Sequence, residues 1–170
     1  QFRTHIATEM ALCMADPTQI HQIVMNLCSN AYQSLKDQGG TMSVALEQTA
    51  IERGISEVLD IKPGCYLKLS ISDDGPGIAN EIQDRIFDPF FTTKDKGEGT
   101  GLGLAVVHGI VKGHSGAIRL SSIPNKSTTF EIYLPLIEAS SIPALSQKAA
   151  ACKGQESILF VEDDQDQLVL

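Results

Sequence analysis

Two side-chain amides, Asn26 and Asn30, lie four residues apart in the segment HQIVMNLCSNA. Residues four apart in a helix share one face, so both amides would point the same way. Carboxamide oxygens are neutral ligands suited to a hard cation such as Mg²⁺, which keeps several of its waters and bridges to phosphates. The alternative is a pair of helix-surface amides that make only local hydrogen bonds.

A run of alternating glycines stands at residues 97, 99, 101 and 103 in GEGTGLGLAVV, directly before an apolar helical pattern. Backbone N–H groups at a helix N-terminus, together with the helix dipole, bind phosphate. The run is not a P-loop, because no G-K-[ST] follows it, and its spacing and preceding segment do not fit the dinucleotide fingerprint. The alternative is a flexible loop that a helix closes.

The segment DDGPGI, Asp73 to Ile78, combines carboxylates with two glycines. Gly75 and Gly77 would let a flat ligand approach the backbone closely. We predict that Asp74 accepts a hydrogen bond from the amino group of a purine. The alternative is a plain turn with a solvated carboxylate.

Helical and strand patterns indicate how these segments are positioned. Asp16 as N-cap, Pro17 at the first helical position and the stop at Gly39 and Gly40 predict a helix from about 17 to 37. Its predicted buried stripe is Ile20, Ile23, Val24, Leu27, Ala31 and Leu35. Alternation predicts strands over 41–49 and over the segment with Cys65, Leu67, Leu69 and Ile71, with a loop between them.

Further along, we predict a short helix over 80–87, a long loop in FDPFFTTKDKGEGTG and a second helix over 102–111. Two further strands are predicted in AIRLSS and STTFEIYLP. In the last strand Thr128 shares the inward face with Phe130, so it should point towards the core.

The composition limits the possible ligands and compartments. The 170 residues carry a net charge of -8, which argues against a broad surface for nucleic acid or anionic lipid. No apolar run approaches the roughly 20 residues of a membrane helix, so we expect no membrane contact by this chain. Four scattered cysteines predict free thiols in a reducing, cytoplasmic compartment. The missing initiator Met suggests a fragment of a longer protein.

The four segments, in this order, resemble the N, G1, F and G2 boxes of the catalytic ATP-binding domain of sensor histidine kinases. They are Asn26 to Ala31, Asp74 to Ile78, FDPFFTTK, and Gly99 to Leu104, and the resemblance runs from about Thr8 to Leu136. It implies an α/β (α+β) Bergerat fold, a two-layer sandwich with a mixed sheet, helices on one face and a flexible ATP lid.

The resemblance also implies residue roles. The expected metal ligand for Mg²⁺ is Asn30, assisted by Asn26, and Lys94 joins them as a charge partner in the catalytic set. Adenine would meet Asp74, Gly75, Gly77, Ile78 and Thr128. The phosphates would meet the second glycine box, which consists of Gly99, Thr100, Gly101, Leu102, Gly103 and Leu104.

One position separates branches of this superfamily. ATP-hydrolysing relatives usually carry a glutamate where this chain has Asn26, and an amide is a poor general base. We therefore expect transfer of the γ-phosphoryl group to a histidine on a separate dimerisation domain. None of His5, His21, His108 and His114 has the acceptor context. A serine-directed kinase of the anti-sigma type and a non-catalytic nucleotide-sensing module remain the alternatives.

The C-terminal part changes in composition. Residues 1–137 form the predicted catalytic domain and 138–155 a linker. Residues 156–170, ESILFVEDDQDQLVL, resemble the first strand of a receiver domain. The resemblance implies that Glu162 and Asp163 would help hold Mg²⁺ in an intact receiver domain. The whole protein would then be a hybrid kinase, expected to be a homodimer, that passes phosphate to its own or a separate receiver domain.

Overall fold

The computed structural model describes residues 1–8, 11–36, 38–94 and 99–137. Its elements in chain order are β1 (Phe2–Ile6), α1 (Pro17–Leu35), β2 (Met42–Ile51), α2 (Arg53–Leu59), β3 (Gly64–Asp73), α3 (Asn80–Gln83), α4 (Gly103–Gly113), β4 (Ala117–Ile123) and β5 (Ser127–Pro135). The predicted linker, 138–155, and the predicted receiver strand with Glu162 and Asp163 lie outside the described residues.

The strands form one mixed sheet in the order β1-β2-β3-β5-β4. Strand β1 pairs with β2 in parallel, and the other three pairings are antiparallel. The predicted mixed sheet with helices is confirmed. Strand β1 was not predicted because all five of its residues are exposed, so no alternating apolar pattern marks it.

The main core lies between one face of the sheet and the helices α1 and α4. Ile23 and Leu27 of α1 are each 1% exposed, and Val107 and Val111 of α4 are completely buried. They pack in one cluster with inward-facing strand residues such as Ile71 and Ile132. The predicted stripe of α1 is confirmed at Ile23, Leu27, Ala31 and Leu35, whereas Ile20 and Val24 are only half-buried.

Helix α2 packs on the opposite face of the sheet, at one corner. Its Leu59 belongs to a second buried cluster with Ile51, Tyr66, Ala117 and Tyr133. These strand residues alternate with the residues of the main core, so they point to the other face. The sequence analysis predicted only a loop between β2 and β3, whereas this segment contains helix α2. It folds back over an outer corner that would otherwise expose two tyrosines.

The three predicted helices differ from the structure in their bounds. Helix α4 runs over Gly103–Gly113 rather than 102–111. Asp16 caps α1 as expected, its carboxylate accepting from the Thr18 N–H at 2.8 Å, but the helix ends at Leu35 rather than 37. The short helix stops at Gln83 and continues as turns. The backbone groups of the first and last turns of a helix lack hydrogen-bond partners within it. The sequence pattern therefore specifies the end residues of a helix only weakly.

Candidate functional site

A cavity of about 630 Å³ opens between α1, the end of β3, α3 and the start of α4. Four segments that the sequence analysis singled out contribute to its wall. They include Asn26, Asn30, Asp73, Gly77, Ile78, Lys94, Gly99, Thr100, Gly101, Gly103, Leu104 and Thr128. The fold therefore brings together residues that are up to about a hundred positions apart in the chain.

Asp73 is the carboxylate at the closed end of this cavity. It is 6% exposed, and its neighbour across the sheet is Thr128, which is 5% exposed and faces inward as predicted. Its Oδ1 accepts hydrogen bonds from the Ser34 hydroxyl at 3.0 Å and from the Gly75 N–H at 3.1 Å. Burial raises the pKa of the Asp73 carboxyl, although these two donors act in the opposite direction.

The placement of Asp74 contradicts the sequence-based assignment. Its side chain is exposed, lies outside the cavity wall and accepts from the Thr41 N–H at 2.6 Å. Strand alternation explains the difference, because Ile71 and Asp73 share the inward face of β3 and the strand ends before Asp74. The same alternation was visible in the sequence and would have identified Asp73.

The glycines after Asp73 have separate structural reasons. Gly77 has φ +68°, and a Cβ there would lie 2.3 Å from the Ile123 carbonyl oxygen. No other residue fits this turn, which places Gly77 and Ile78 on the cavity wall. Gly75 does not line the cavity, contrary to its predicted ligand contact. Gly75 is buried, and its N–H donates to Asp73 Oδ1.

The two amides of α1 are half-buried and face the cavity, as their spacing predicted. The Lys94 ammonium donates to Asn30 Oδ1 at 3.4 Å and also to the Gln33 side-chain oxygen. The oxygen of Asn30 is thus already oriented towards a cation. A Cβ on Gly103 would lie 3.4 Å from Asn26 Oδ1, so the second amide faces the start of α4.

The N-terminus of α4 forms the opposite wall. Among the described residues it has no side-chain cap hydrogen bond, and its first residues, Gly103 and Leu104, line the cavity. First-turn amides of such a helix are available to an anion. Leu102, predicted as a contact, does not line the cavity. It lies at the N-cap, and its N–H donates to Thr100 Oγ1 at 3.4 Å.

Phe90 joins the two loops that flank the cavity entrance. Its N–H donates to the Gly101 carbonyl at 2.9 Å, and both residues have positive φ. A Cβ on Gly101 would lie 2.4 Å from the Phe90 carbonyl carbon, so the loop closes only with glycine at position 101. The left-handed conformation at Phe90 could not be predicted from the sequence, since φ > 0 is uncommon in bulky residues.

The donor set fits magnesium only together with phosphate oxygens. Across the described ranges, no group of three or more His, Cys, Asp and Glu side chains could hold a metal ion. Asn26 and Asn30 instead offer two neutral oxygens. Mg²⁺ is typically bound by few protein ligands, water and substrate phosphates, so this sparse set fits a nucleotide-bound magnesium ion.

Ser34 is a residue of the cavity wall that the sequence analysis did not single out. It follows Asn30 by four residues and lines the same cavity. The spacing pointed to it, because Asn26, Asn30 and Ser34 are spaced by one helical turn each.

In the part of the chain that the structure describes, no helix is both long and apolar enough to cross a membrane.

Comparison with known proteins identifies the family. Residues 15–138 match the family described as histidine kinase-, DNA gyrase B- and HSP90-like ATPase. Sensor kinase CckA of Brucella abortus (strain 2308) is 36% identical over 159 residues, covering 88% of this chain and 17% of that protein. Sensor histidine kinase ZraS of Escherichia coli (strain K12) is 44% identical over 122 residues, covering 72% of this chain and 23% of that protein.

A solved structure agrees with these relatives. The nucleotide-free catalytic domain of histidine kinase ThkA superposes with a TM-score of 0.61 at 29% identity, covering 79% of this chain and 77% of that one. The chain spans about a fifth of the length of the curated relatives named above. On this sequence match and this fold, the chain belongs to the histidine kinase-, DNA gyrase B- and HSP90-like ATPase family, with the fold of a histidine kinase catalytic domain.

Proposed function

We propose that this domain binds ATP with Mg²⁺ and donates the γ-phosphoryl group to a histidine on a separate dimerisation domain. The observation that carries the proposal is the cavity itself. A buried carboxylate stands at one end, and two amides, a lysine and an uncapped helix N-terminus surround the other. This is the arrangement expected for a ligand with a polar flat ring at one end and phosphates at the other.

The base is recognised by Asp73, and not by Asp74 as the sequence analysis assigned. The Asp73 Oδ2 atom accepts the exocyclic amino group of adenine, while Thr128 and Ile78 border the ring. Gly77 allows the ring to approach the backbone. A guanine carbonyl at the same place would face a carboxylate oxygen without a proton between them, so the site prefers adenine.

The phosphates are held by backbone amides and by charge. Gly99, Gly101, Gly103 and Leu104 offer N–H groups at the start of α4, and Lys94 supplies a positive charge. Asn30, with Asn26, would hold Mg²⁺, which neutralises phosphate charge when bound. This local set explains how a chain of net charge -8 binds a polyanion.

The choice between transfer and hydrolysis rests on Asn26. An amide cannot remove a proton from water, so Asn26 cannot act as the base that would activate water for attack on the γ-phosphate. Lys94, Asn30 and the helix N-terminus still position and stabilise the transferring group. The domain therefore holds ATP intact until an acceptor side chain arrives.

The partners follow from the relatives. Both curated relatives are named as sensor kinases, which supports a histidine-bearing dimerisation domain as acceptor. We further propose that the intact kinase is a homodimer and cytoplasmic. The CckA alignment covers 88% of the chain, more than residues 1–138 could supply, so it enters the segment after residue 138. For this segment we propose a linker over 138–155 and the start of a receiver domain over 156–170, with Glu162 and Asp163.

The test is phosphotransfer between separate domains. This chain is mixed with the dimerisation domain of its full-length kinase and ATP labelled at the γ-phosphate. We expect label on that domain that survives alkali and is lost in acid, as histidine phosphate requires. Acid-stable label would indicate a serine-directed kinase, and tight ATP binding without any transfer would indicate a nucleotide-sensing module. Either result would contradict the proposal.

A further inference from the structure

We propose that Ser34 is a positioning residue for base recognition. Its hydroxyl, together with the Gly75 amide, fixes one oxygen of Asp73 so that the other is presented to an adenine amino group. The inference rests on the proposed function of the cavity and assigns a role to a side chain that the binding boxes do not include. Its evidence is the hydrogen bonding around a single carboxylate.

Both donors converge on the same oxygen. The Ser34 hydroxyl lies 3.0 Å from Asp73 Oδ1, and the Gly75 nitrogen lies 3.1 Å from it. Within the described residues, Asp73 Oδ2 has no hydrogen-bond partner. Every fully buried side-chain oxygen in those residues has one, so Oδ2 is not fully buried. Because Asp73 lines the cavity, Oδ2 is the oxygen that opens into it.

The carboxylate has little room to rotate away from this arrangement. A Cβ on Gly75 would lie 2.7 Å from Asp73 Oδ1 and 3.0 Å from the Ser34 hydroxyl oxygen. The three groups are therefore in close mutual contact, with space only for a glycine. Without the Ser34 hydroxyl, one of the two donors that hold Oδ1 is lost and the carboxylate can turn.

Ser34 has a second acceptor that accounts for its own orientation. Its hydroxyl also lies 2.8 Å from the Ala31 carbonyl oxygen, one turn earlier in α1. A hydroxyl has one proton, and a bond to a charged carboxylate is stronger than a bond to a neutral carbonyl. The proton therefore serves Asp73 while the carboxyl is ionised, and it can turn to Ala31 when the carboxyl is protonated.

The charge state of Asp73 sets how strongly it accepts a hydrogen bond from an amino group, because an ionised carboxylate is the stronger acceptor. Burial favours its neutral form, and the hydrogen bond from Ser34 favours the ionised form. Among the described residues, the other charged groups around it are Asp74, which favours the neutral form, and Lys94 on the cavity wall. Removing the Ser34 donor should thus move the acid loss of ATP binding to higher pH.

The experiment compares ATP with purine riboside triphosphate, which has only a hydrogen in place of the exocyclic amino group, by calorimetry between pH 5 and pH 8. For Ser34→Ala we expect ATP affinity to fall about tenfold at pH 7, as for loss of a hydrogen bond to a charged group. The affinity for purine riboside triphosphate should stay unchanged. Ser34→Thr, which keeps the hydroxyl, should retain the wild-type ratio of the two affinities.

Ser56→Ala is the matched control. Ser56 is a buried helical serine in α2. Its hydroxyl lies 2.8 Å from the carbonyl oxygen three residues earlier, at Arg53, as the hydroxyl of the half-buried Ser34 does from that of Ala31. It should bind both nucleotides as wild type does. If Ser34→Ala does not fold, Ser34→Cys, a weak donor of similar size, should lower the affinity ratio in the same direction.

Two results would overturn the inference. One is a Ser34→Ala protein, or a Ser34→Cys protein in its place, with the wild-type ratio and pH profile. The other is an equal loss of affinity for both nucleotides, which would indicate general damage to the cavity. A wild-type protein that binds neither nucleotide would instead refute the proposed function. Failure of Ser34 alone would leave the preference for ATP intact and dependent on Asp73.

Discussion

Asp73 is subject to two opposing demands. In the proposed role it accepts a hydrogen bond from an amino group most strongly when ionised, but at 6% exposure its charged form loses most of its contact with water. The Ser34 hydroxyl and Gly75 amide compensate only in part, because the pKa of this carboxyl is still raised. A residue held in a state that its environment opposes is typical of a functional site.

This conflict predicts that Asp73→Asn stabilises the fold at neutral pH. Asparagine removes the buried charge, and its Oδ1 can still accept from Ser34 and Gly75. Because the pKa is raised in the folded state, folded wild type binds the proton more tightly than unfolded chain. Wild type therefore loses stability as pH rises from the unfolded pKa, about 3.9, through the folded pKa.

Urea unfolding at pH 4 and pH 7 measures this effect. The stability advantage of Asp73→Asn over wild type should widen from pH 4 to pH 7. Asp74→Asn leaves the Asp73 carboxylate in place and removes only a lesser cause of its raised pKa, so its widening should be smaller. An advantage of Asp73→Asn that shrinks as the pH rises would mean that the buried carboxylate contributes favourable energy in its ionised form.

At the scale of elements, the sheet has one face that carries the cavity and another whose packing contributes to stability alone. Helices α1 and α4 cover the face that carries the cavity, and their packed residues Leu27 and Leu104 also line it. Helix α2 covers the other face through Leu59. Changes in the first layer should therefore alter both stability and binding, whereas changes in the second should alter stability alone.

Leu59→Ala tests this separation. Truncating a buried leucine costs roughly 2–5 kcal/mol of unfolding free energy, and Leu59 is 8% exposed. We expect that loss in urea unfolding, with ATP affinity unchanged in calorimetry of the folded protein. Leu27→Ala, at 1% exposure, should lower both. An ATP affinity that falls in Leu59→Ala would show that the outer layer shapes the cavity across the sheet.

The elements with a one-sided apolar pattern could be predicted from the sequence. Helix α1 and strand β5 are examples, because their buried residues repeat at the helical and strand periods. Strand β1 and helix α2 could not, because the first has no buried face and the second buries few residues against distant strands. Such elements are fixed by tertiary contacts rather than by local pattern.

The site was predictable wherever residue type alone determines the contact. Asn26, Asn30 and Thr128 line the cavity as expected. The error at Asp74 arose from treating two adjacent carboxylates as equivalent, although strand alternation directs only Asp73 inward. The role of Ser34 depends on a contact with Asp73, 39 residues away, and only the fold reveals it.

At the scale of the whole molecule, these residues form the site that we propose for a magnesium nucleotide. Asp73 at the end of β3, the amides of α1 and the N-terminus of α4 meet in a single cavity. The proposed function therefore depends on which of the two neighbouring carboxylates, Asp73 or Asp74, binds the base and on whether ATP stays intact once bound. Both can be measured on the chain as it stands.

The most direct measurement is calorimetric titration of ATP with and without Mg²⁺ into wild type, Asp73→Asn and Asp74→Asn, with free phosphate followed in the same samples. We predict magnesium-dependent binding that weakens about ten- to a hundredfold in Asp73→Asn, the loss expected for a hydrogen bond to a charged group. Asp74→Asn should bind as wild type does, with negligible phosphate release. Binding lost in Asp74→Asn but kept in Asp73→Asn, or sustained hydrolysis by wild type, would contradict the account.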